Sequence, residues 1–170
     1  MCDASTCLAP ADGPQNCLPA PIWSNLDNLQ FEGEAVENMT QIILVPGDYH
    51  DYLFADELAL EVPPDAKILG LTVQVRRAGD DGVADDSVRI IKNGQIGDAE
   101  RAQAGVWNED LVSVSYGGPG DLWGEEWTPQ DVNAPDFGVA FAAAYTRPAG
   151  NTRAYVDSVS VTVRYEVACE

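Results

Sequence analysis

The end of the chain alternates so strictly that it permits one kind of secondary structure. Valine or tyrosine occupies every second position from Val159 to Val167, with small or polar residues between them. Alternate side chains share one face of a β-strand, so the run predicts a strand with one buried and one hydrated face. The density of β-branched residues disfavours a helix. This feature indicates an all-β fold.

Other short apolar or alternating segments predict further strands. Asn93-Gly94 is a strong hairpin turn, and other Gly/Pro turns separate the segments. Thr128 to Asp131 instead predicts one helical turn, with Thr128 as N-cap and Pro129 as first residue. Seven or eight strands without a long helix predict a two-sheet antiparallel β-sandwich or jelly roll. The predicted strands lie at 41–45, 58–62, 68–76, 87–92, 112–116, 137–145 and 154–167.

The first 21 residues differ in composition from the rest. They contain four prolines and three cysteines and no aromatic residue. Such a segment buries little surface and forms neither a helix nor an inner strand. We therefore predict an extended N-terminal arm over residues 1–21 and a β-sandwich domain over residues 22–170.

The cysteines lie only at the two ends of the chain, at Cys2, Cys7, Cys17 and Cys169. No CxxC pair is present, which disfavours a metal site, so disulfides formed in an oxidising compartment are predicted. The favoured pairing is Cys17–Cys169 with Cys2–Cys7, and disulfides between subunits are the alternative. A chain that begins at Cys2 would also fit a lipidated terminus, although that would leave an odd thiol.

The net charge of −19 comes from 28 acidic and 9 basic residues. A surface this negative repels nucleic acid and anionic membranes, so neither is expected as a partner. No apolar run approaches transmembrane length. The charge is typical of a very soluble protein or of one that attracts cations.

One acidic loop is a candidate cation site. The run GDDGVADD contains Asp80, Asp81, Asp85 and Asp86. Calcium takes six to eight oxygen ligands, and short acidic loops with glycine supply them. The alternative is a solvated turn, in which Asp and Gly serve local hydrogen bonds.

Three tryptophans, Trp107, Trp123 and Trp127, lie within one loop region. Exposed aromatic rings near acids stack sugars in many β-sandwich modules, so these residues are a candidate glycan platform. Tryptophans also fill the ends of small sandwich cores, which is the alternative.

The predicted strand 137–145 lacks a polar face. Large apolar residues alternate there with Gly138, Ala140, Ala142 and Ala144. A row of tiny residues indicates that something packs closely over it. That cover is either part of the same chain or a neighbouring subunit, which would make the row an interface.

Catalytic motifs are missing from the sequence. His50 is the only histidine, and no GxSxG is present to supply a nucleophilic serine. The chain is therefore not expected to be an enzyme, and no cofactor other than calcium is considered.

Four segments carry a resemblance to a known kind of module: ILGLTVQVRR, DDSVRIIKNGQIG, YGGPGDLWGEEWTPQDVNAPDFGVAFAA and AYVDSVSVTVRY. Together, over Ile68 to Tyr165, they resemble a β-sandwich module of bacterial exported proteins and of phage-type tail or fibre proteins. The resemblance implies a structural or adhesive building block without catalytic residues. The cysteine-containing arm lies outside it.

These observations predict a structural subunit of an extracellular assembly, such as a fibre or surface layer on a cell or virion. The subunit would form a homo-oligomer or homopolymer through its arm and disulfides. The alternative is a carbohydrate-binding or adhesive module that uses the tryptophans.

Overall fold

The computed structural model describes residues 23–24, 26, 40–44, 52–147 and 150–167. The regular secondary structure of this part of the chain is almost entirely β-strand, as the sequence predicts. Its elements are β1 Thr40–Leu44, β2 Leu53–Ala55, β3 Lys67–Gly79, β4 Val83–Lys92, β5 Gln95–Ile96, β6 Val112–Gly117, α1 Pro129–Val132, β7 Gly138–Tyr145 and β8 Thr152–Glu166.

The strands form two four-stranded antiparallel sheets. The first has the order β1-β8-β3-β6 and the second the order β2-β7-β4-β5. The core lies between the sheets and includes Leu71, Val73 and Val75 from β3 and Val139 and Phe141 from β7, all with 0% exposure. The predicted two-sheet β-sandwich is therefore confirmed.

The helical turn forms as its sequence predicts. The Thr128 side chain accepts a hydrogen bond from the Asp131 amide, and the Asp131 side chain accepts one from the Thr128 amide. This capping box gives the Thr128 amide an acceptor and the Asp131 amide a second one beside the Thr128 carbonyl, and Pro129 needs no amide at the first position. The turn leads the chain from the tryptophan-containing loop into β7.

The predicted strand at 58–62 is wrong, because residues 56–66 form no strand. Val62 is nevertheless buried, and the Asn133 side chain makes the hydrogen bonds that a neighbouring strand would supply. Its Oδ1 accepts from the Val62 amide at 2.9 Å, and its Nδ2 donates to the Val62 carbonyl at 2.8 Å. A side-chain amide thus replaces one step of a β-ladder.

No helix among the described residues has the length and apolar character needed to cross a bilayer.

Candidate functional site

A buried polar cluster joins the two sheets at one end of the sandwich. We call Arg77 (β3), Asp85 (β4), Trp107 and Tyr116 (β6) the interlayer cluster. Arg77 Nη2 lies 3.2 Å from Asp85 Oδ1, and its Nε donates to the Tyr116 hydroxyl at 2.9 Å. The Tyr116 hydroxyl and Trp107 Nε1 both donate to Asp85 Oδ1, at 3.2 and 2.8 Å. The arginine belongs to one sheet and the carboxylate to the other, so the cluster clamps the layers together.

Burial makes this cluster a fixed structural unit. The Asp85 side chain has 0% exposure and that of Arg77 7%. The second Asp85 oxygen accepts from the Gln103 amide at 2.9 Å, so both oxygens have partners. Burial, followed by the nearby Asp85 carboxylate, raises the pKa of Tyr116 above its usual range. The hydroxyl therefore stays protonated and remains a donor at neutral pH.

A bulge in β4 turns Asp85 toward the core. Asp85 pairs with Ala143 and Ser87 with Ala142, so Asp86 is the extra residue and is exposed. Before the bulge the odd-numbered residues face inward, and after it the even-numbered Val88 does. The bulge thus places the carboxylate inside while the strand keeps its apolar face.

A connecting segment, residues 97–107, runs along the outer edge of β4, and we call it the edge strap. The Gly97 amide donates to the Ile90 carbonyl and the Trp107 amide to the Val83 carbonyl, at 2.8 and 2.7 Å. The Gln103 side chain also donates to the Ser115 carbonyl on β6. The strap therefore covers the β4 edge and reaches the other sheet, which closes this side of the sandwich.

Glu100 anchors the edge strap to β4. Its carboxylate accepts hydrogen bonds from the Ser87 hydroxyl, the Val88 amide, the Ala102 amide and the Arg89 guanidinium, at 2.6 to 3.0 Å. Burial by itself would raise the pKa of Glu100, but these donors outweigh it and hold the pKa below its ordinary value of 4.5. The ionised carboxylate is thus the form that holds the strap.

This arrangement predicts acid sensitivity in the strap. A carboxylate whose pKa is lower in the folded state than in the unfolded state stabilises the fold at any pH above its unfolded-state pKa. That stabilisation is lost as the pH falls through the folded-state pKa. We expect Glu100→Gln to lower the melting temperature at neutral pH and to have a smaller effect as pH drops below the ordinary glutamate pKa of 4.5. Thermal melts of both proteins between neutral pH and pH 2 would measure this. An effect that stays constant over the range would contradict it.

The four aspartates proposed for calcium do not converge. Asp80 Oδ2 accepts from the Arg153 amide at 3.2 Å, and Asp81 forms an ion pair with Arg147. Asp85 belongs to the buried interlayer cluster, and Asp86 points to solvent. No three His, Cys, Asp or Glu side chains within the described residues are placed to hold a metal ion. The alternative, local hydrogen bonding by this turn, fits the geometry.

All three predicted platform tryptophans are buried. Trp107, Trp123 and Trp127 have 5, 2 and 9% exposure. Each indole N–H donates inside the protein: that of Trp107 to Asp85, that of Trp123 to the Leu71 carbonyl and that of Trp127 to the Leu122 carbonyl. A ring in this position cannot stack on a sugar. The structure corrects the platform interpretation and favours the core alternative.

The small-residue row on β7 is already covered within the chain. Gly138, Ala140 and Ala142 are buried, and Ala144 is half-buried. Leu53 pairs with Phe141, so the preceding Tyr52 lies beside Ala142. Its hydroxyl donates to Ser87 Oγ at 3.1 Å, on the strand beyond β7. The Tyr52 side chain therefore crosses over Ala142, and the row does not form a free interface.

This geometry predicts the effect of enlarging Ala142. Ala142→Leu should lower the free energy of unfolding by about 1–3 kcal/mol, because the larger side chain displaces the Tyr52 ring. Ala144→Leu, on the same face but half-exposed, is the control and should cost less. Urea unfolding of both variants would measure the difference. Equal losses would argue against the Tyr52 cover.

Several predicted features lie outside the described residues. These are the arm over residues 1–21, the cysteines Cys2, Cys7, Cys17 and Cys169, and His50. The disulfide assignments therefore stay predictions.

No family model, curated protein or solved structure matches this chain. The resemblance to the exported β-sandwich module stays a prediction, and function has to be inferred from the geometry.

The sequence did not lead us to predict a role for Arg77 or Glu100, and Tyr116 stood out only as an aromatic residue near the three tryptophans. One signal was available for Arg77, since it continues the inward series Leu71, Val73, Val75 on β3. An arginine at an inward position implies a buried acidic partner. Glu100 carries no comparable signal, because acids are abundant in this chain.

Proposed function

We propose that this protein is a structural subunit of an extracellular assembly such as a fibre or surface layer. The sandwich would supply a rigid body, and the arm over residues 1–21 would link it to a neighbour, with disulfides securing the connection outside the cell. The role requires no catalytic residue and no cofactor.

The observation that carries the proposal is the fixed interlayer cluster together with the edge strap. Binding and catalytic loops are commonly mobile segments, with few buried contacts. Here the long connection between β5 and β6 is instead held by hydrogen bonds to Asp85 and the Ser115 carbonyl and by the Glu100 carboxylate. The described body is thus built for stiffness, which suits a mechanical component.

The carbohydrate-binding alternative has lost its proposed platform. The three tryptophans are buried and their indole N–H groups are used within the protein. A glycan array probed with the intact protein separates the two functions. Specific glycan binding would favour the module over the subunit.

Electron microscopy of the full-length protein, with and without reductant, tests the proposal directly. We expect regular oligomers or polymers under oxidising conditions and their loss or loosening after reduction. Deletion of residues 2–20 should leave a folded monomer that no longer assembles, with circular dichroism as the check on folding. Normal assembly of the truncated protein would show that the arm is not the connector.

A further inference from the structure

Strand β8 is much longer than its outer neighbour. It extends over 15 residues, and β3 pairs with it along nearly its whole length. On its other side β1 pairs only with Thr152–Val156. Among the described strands, none pairs with that outer side from Ser158 to Glu166. We call Ser158–Glu166 the open edge.

Within the described part of the chain, no loop and no strand other than β3 is hydrogen-bonded along the open edge. Short strands, prolines, lysines and covering loops normally prevent one edge from pairing with another. The opposite side of the sandwich follows this rule, because the edge strap covers β4. Between Ser158 and Val163, however, the sequence has no proline and no charged residue. A long strand edge without such residues is a template on which another strand can pair.

The side chains of the open edge are self-complementary. Val159, Val161 and Val163 are half-buried on one face, and Tyr165 is 41% exposed beside them. Serine, threonine and arginine occupy the other face. In an antiparallel pair centred on Thr162, apolar residues lie opposite apolar residues and polar opposite polar. Arg164 and Glu166 then lie opposite serines, so no like charges meet.

Charge also favours a second copy at this position. The whole chain carries −19, yet the open edge has one arginine and one glutamate and is neutral. Two molecules can therefore approach there with little local repulsion. The same centring uses the open edge of both copies in full, and each β1 lies beyond the paired region.

We propose that the open edge is a subunit contact at which two copies pair their β8 strands antiparallel about a two-fold axis. The contact would join two four-stranded sheets into one continuous sheet. The inference rests on the proposed assembly function, for which it names one contact. A single strand pair involves fewer residues than the roughly 20–30 per side of a standard interface. The pairing should therefore be concentration-dependent.

Sedimentation equilibrium of the full-length protein, in reductant and about 0.15 M salt to screen charge repulsion, tests the contact. Reductant removes disulfide-linked species, so this result does not depend on the cysteines, and association through the arm would be equal in the two lysine variants compared here. The test variant is Ser160→Lys with Thr162→Lys. Both side chains are exposed, and in the paired variant the first change brings a cation opposite Arg164 of the second copy, while the second change faces the same substitution at position 162 of that copy. We expect the dimer dissociation constant to rise about tenfold or more.

The matched control is Ser113→Lys with Ser115→Lys. These exposed serines lie on β6, at the opposite edge of the same sheet, where Ser115 and Ser160 both pair with Gln74. Both variants lower the net negative charge equally, so general repulsion falls in each. The control should dimerise at least as well as the native protein.

Three outcomes would overturn the proposal. One is a wild-type protein that stays monomeric up to about 1 mM, well above the weak end of specific association. Another is a dimer that both lysine variants form equally. The third is a monomer in which the outward-pointing amides of Ser158–Glu166, those not bonded to β3, resist hydrogen exchange at every concentration, because some other segment of the chain would then cover the edge.

Discussion

Replacing Arg77 by leucine should lower the free energy of unfolding by about 3–5 kcal/mol, the cost of removing one partner from a buried ion pair. Asp85 would remain buried with 0% side-chain exposure and without its cationic partner. Trp107, Tyr116 and Gln103 would still donate to it, but neutral donors offset a buried charge only in part. The Tyr116 hydroxyl would also lose the Arg77 donor. Urea or guanidinium unfolding monitored by tryptophan fluorescence would measure the loss.

Two controls distinguish the loss of the buried interlayer cluster from the general effect of removing one charge. Lys67→Ala breaks an exposed pair with Glu166 and should cost less than about 1 kcal/mol. Arg77→Leu combined with Asp85→Leu removes both buried charges and should cost less than the sum of the single changes. Additive losses in the double variant, or an Arg77→Leu loss as small as that of Lys67→Ala, would show that the cluster is not a coupled clamp.

The sequence predicted the fold because its strands are strongly patterned. The run from Val159 forms a strand as far as Glu166 and the helical turn at Thr128 forms as expected, since local periodicity and capping determined them. The face predicted to be buried is only half-buried at Val159, Val161 and Val163, and Tyr165 is exposed. The segment 58–62 misled because its buried Val62 alternates like a strand residue. Its partner is the Asn133 side chain, 71 positions away in sequence, and such a distant partner cannot be read from local pattern.

The candidate site was harder to predict because bulges decide which side chains face inward. The four loop aspartates looked equivalent in sequence, yet the bulge at Asp86 buries Asp85 and exposes its neighbour. The sequence of β4 contains one sign of the bulge. The inward residues Val83 and Asp85 have odd numbers, whereas the inward residues Val88 and Ile90 have even numbers. A change of parity within one strand predicts a bulge. β8 repeats the pattern, with Val156 and Val159 both turned toward the core.

Trp123→Ala should lower the free energy of unfolding by about 3–5 kcal/mol, as much as Arg77→Leu in the interlayer cluster, because the core cannot collapse around so large a void. Trp123 has 2% exposure, and its indole donates to the Leu71 carbonyl at 2.9 Å. Its backbone has φ +54°, a left-handed conformation that the surrounding contacts must hold. Gly117 is needed beside it, since a Cβ there would lie 2.6 Å from Trp123 Nε1.

Two further variants identify what Trp123 contributes. Trp123→Phe retains most of the packing and removes only the indole donor, and the Leu71 carbonyl keeps the Gly118 amide. It should therefore cost about 1 kcal/mol for the hydrogen bond, plus a smaller loss from the reduced ring. Phe54→Ala removes a ring that is 53% exposed and should cost less than Trp123→Ala. If Trp123→Ala instead kept native stability and abolished glycan binding, the ring would be a recognition element, and the rigid-subunit function would have to give way to the carbohydrate-binding one.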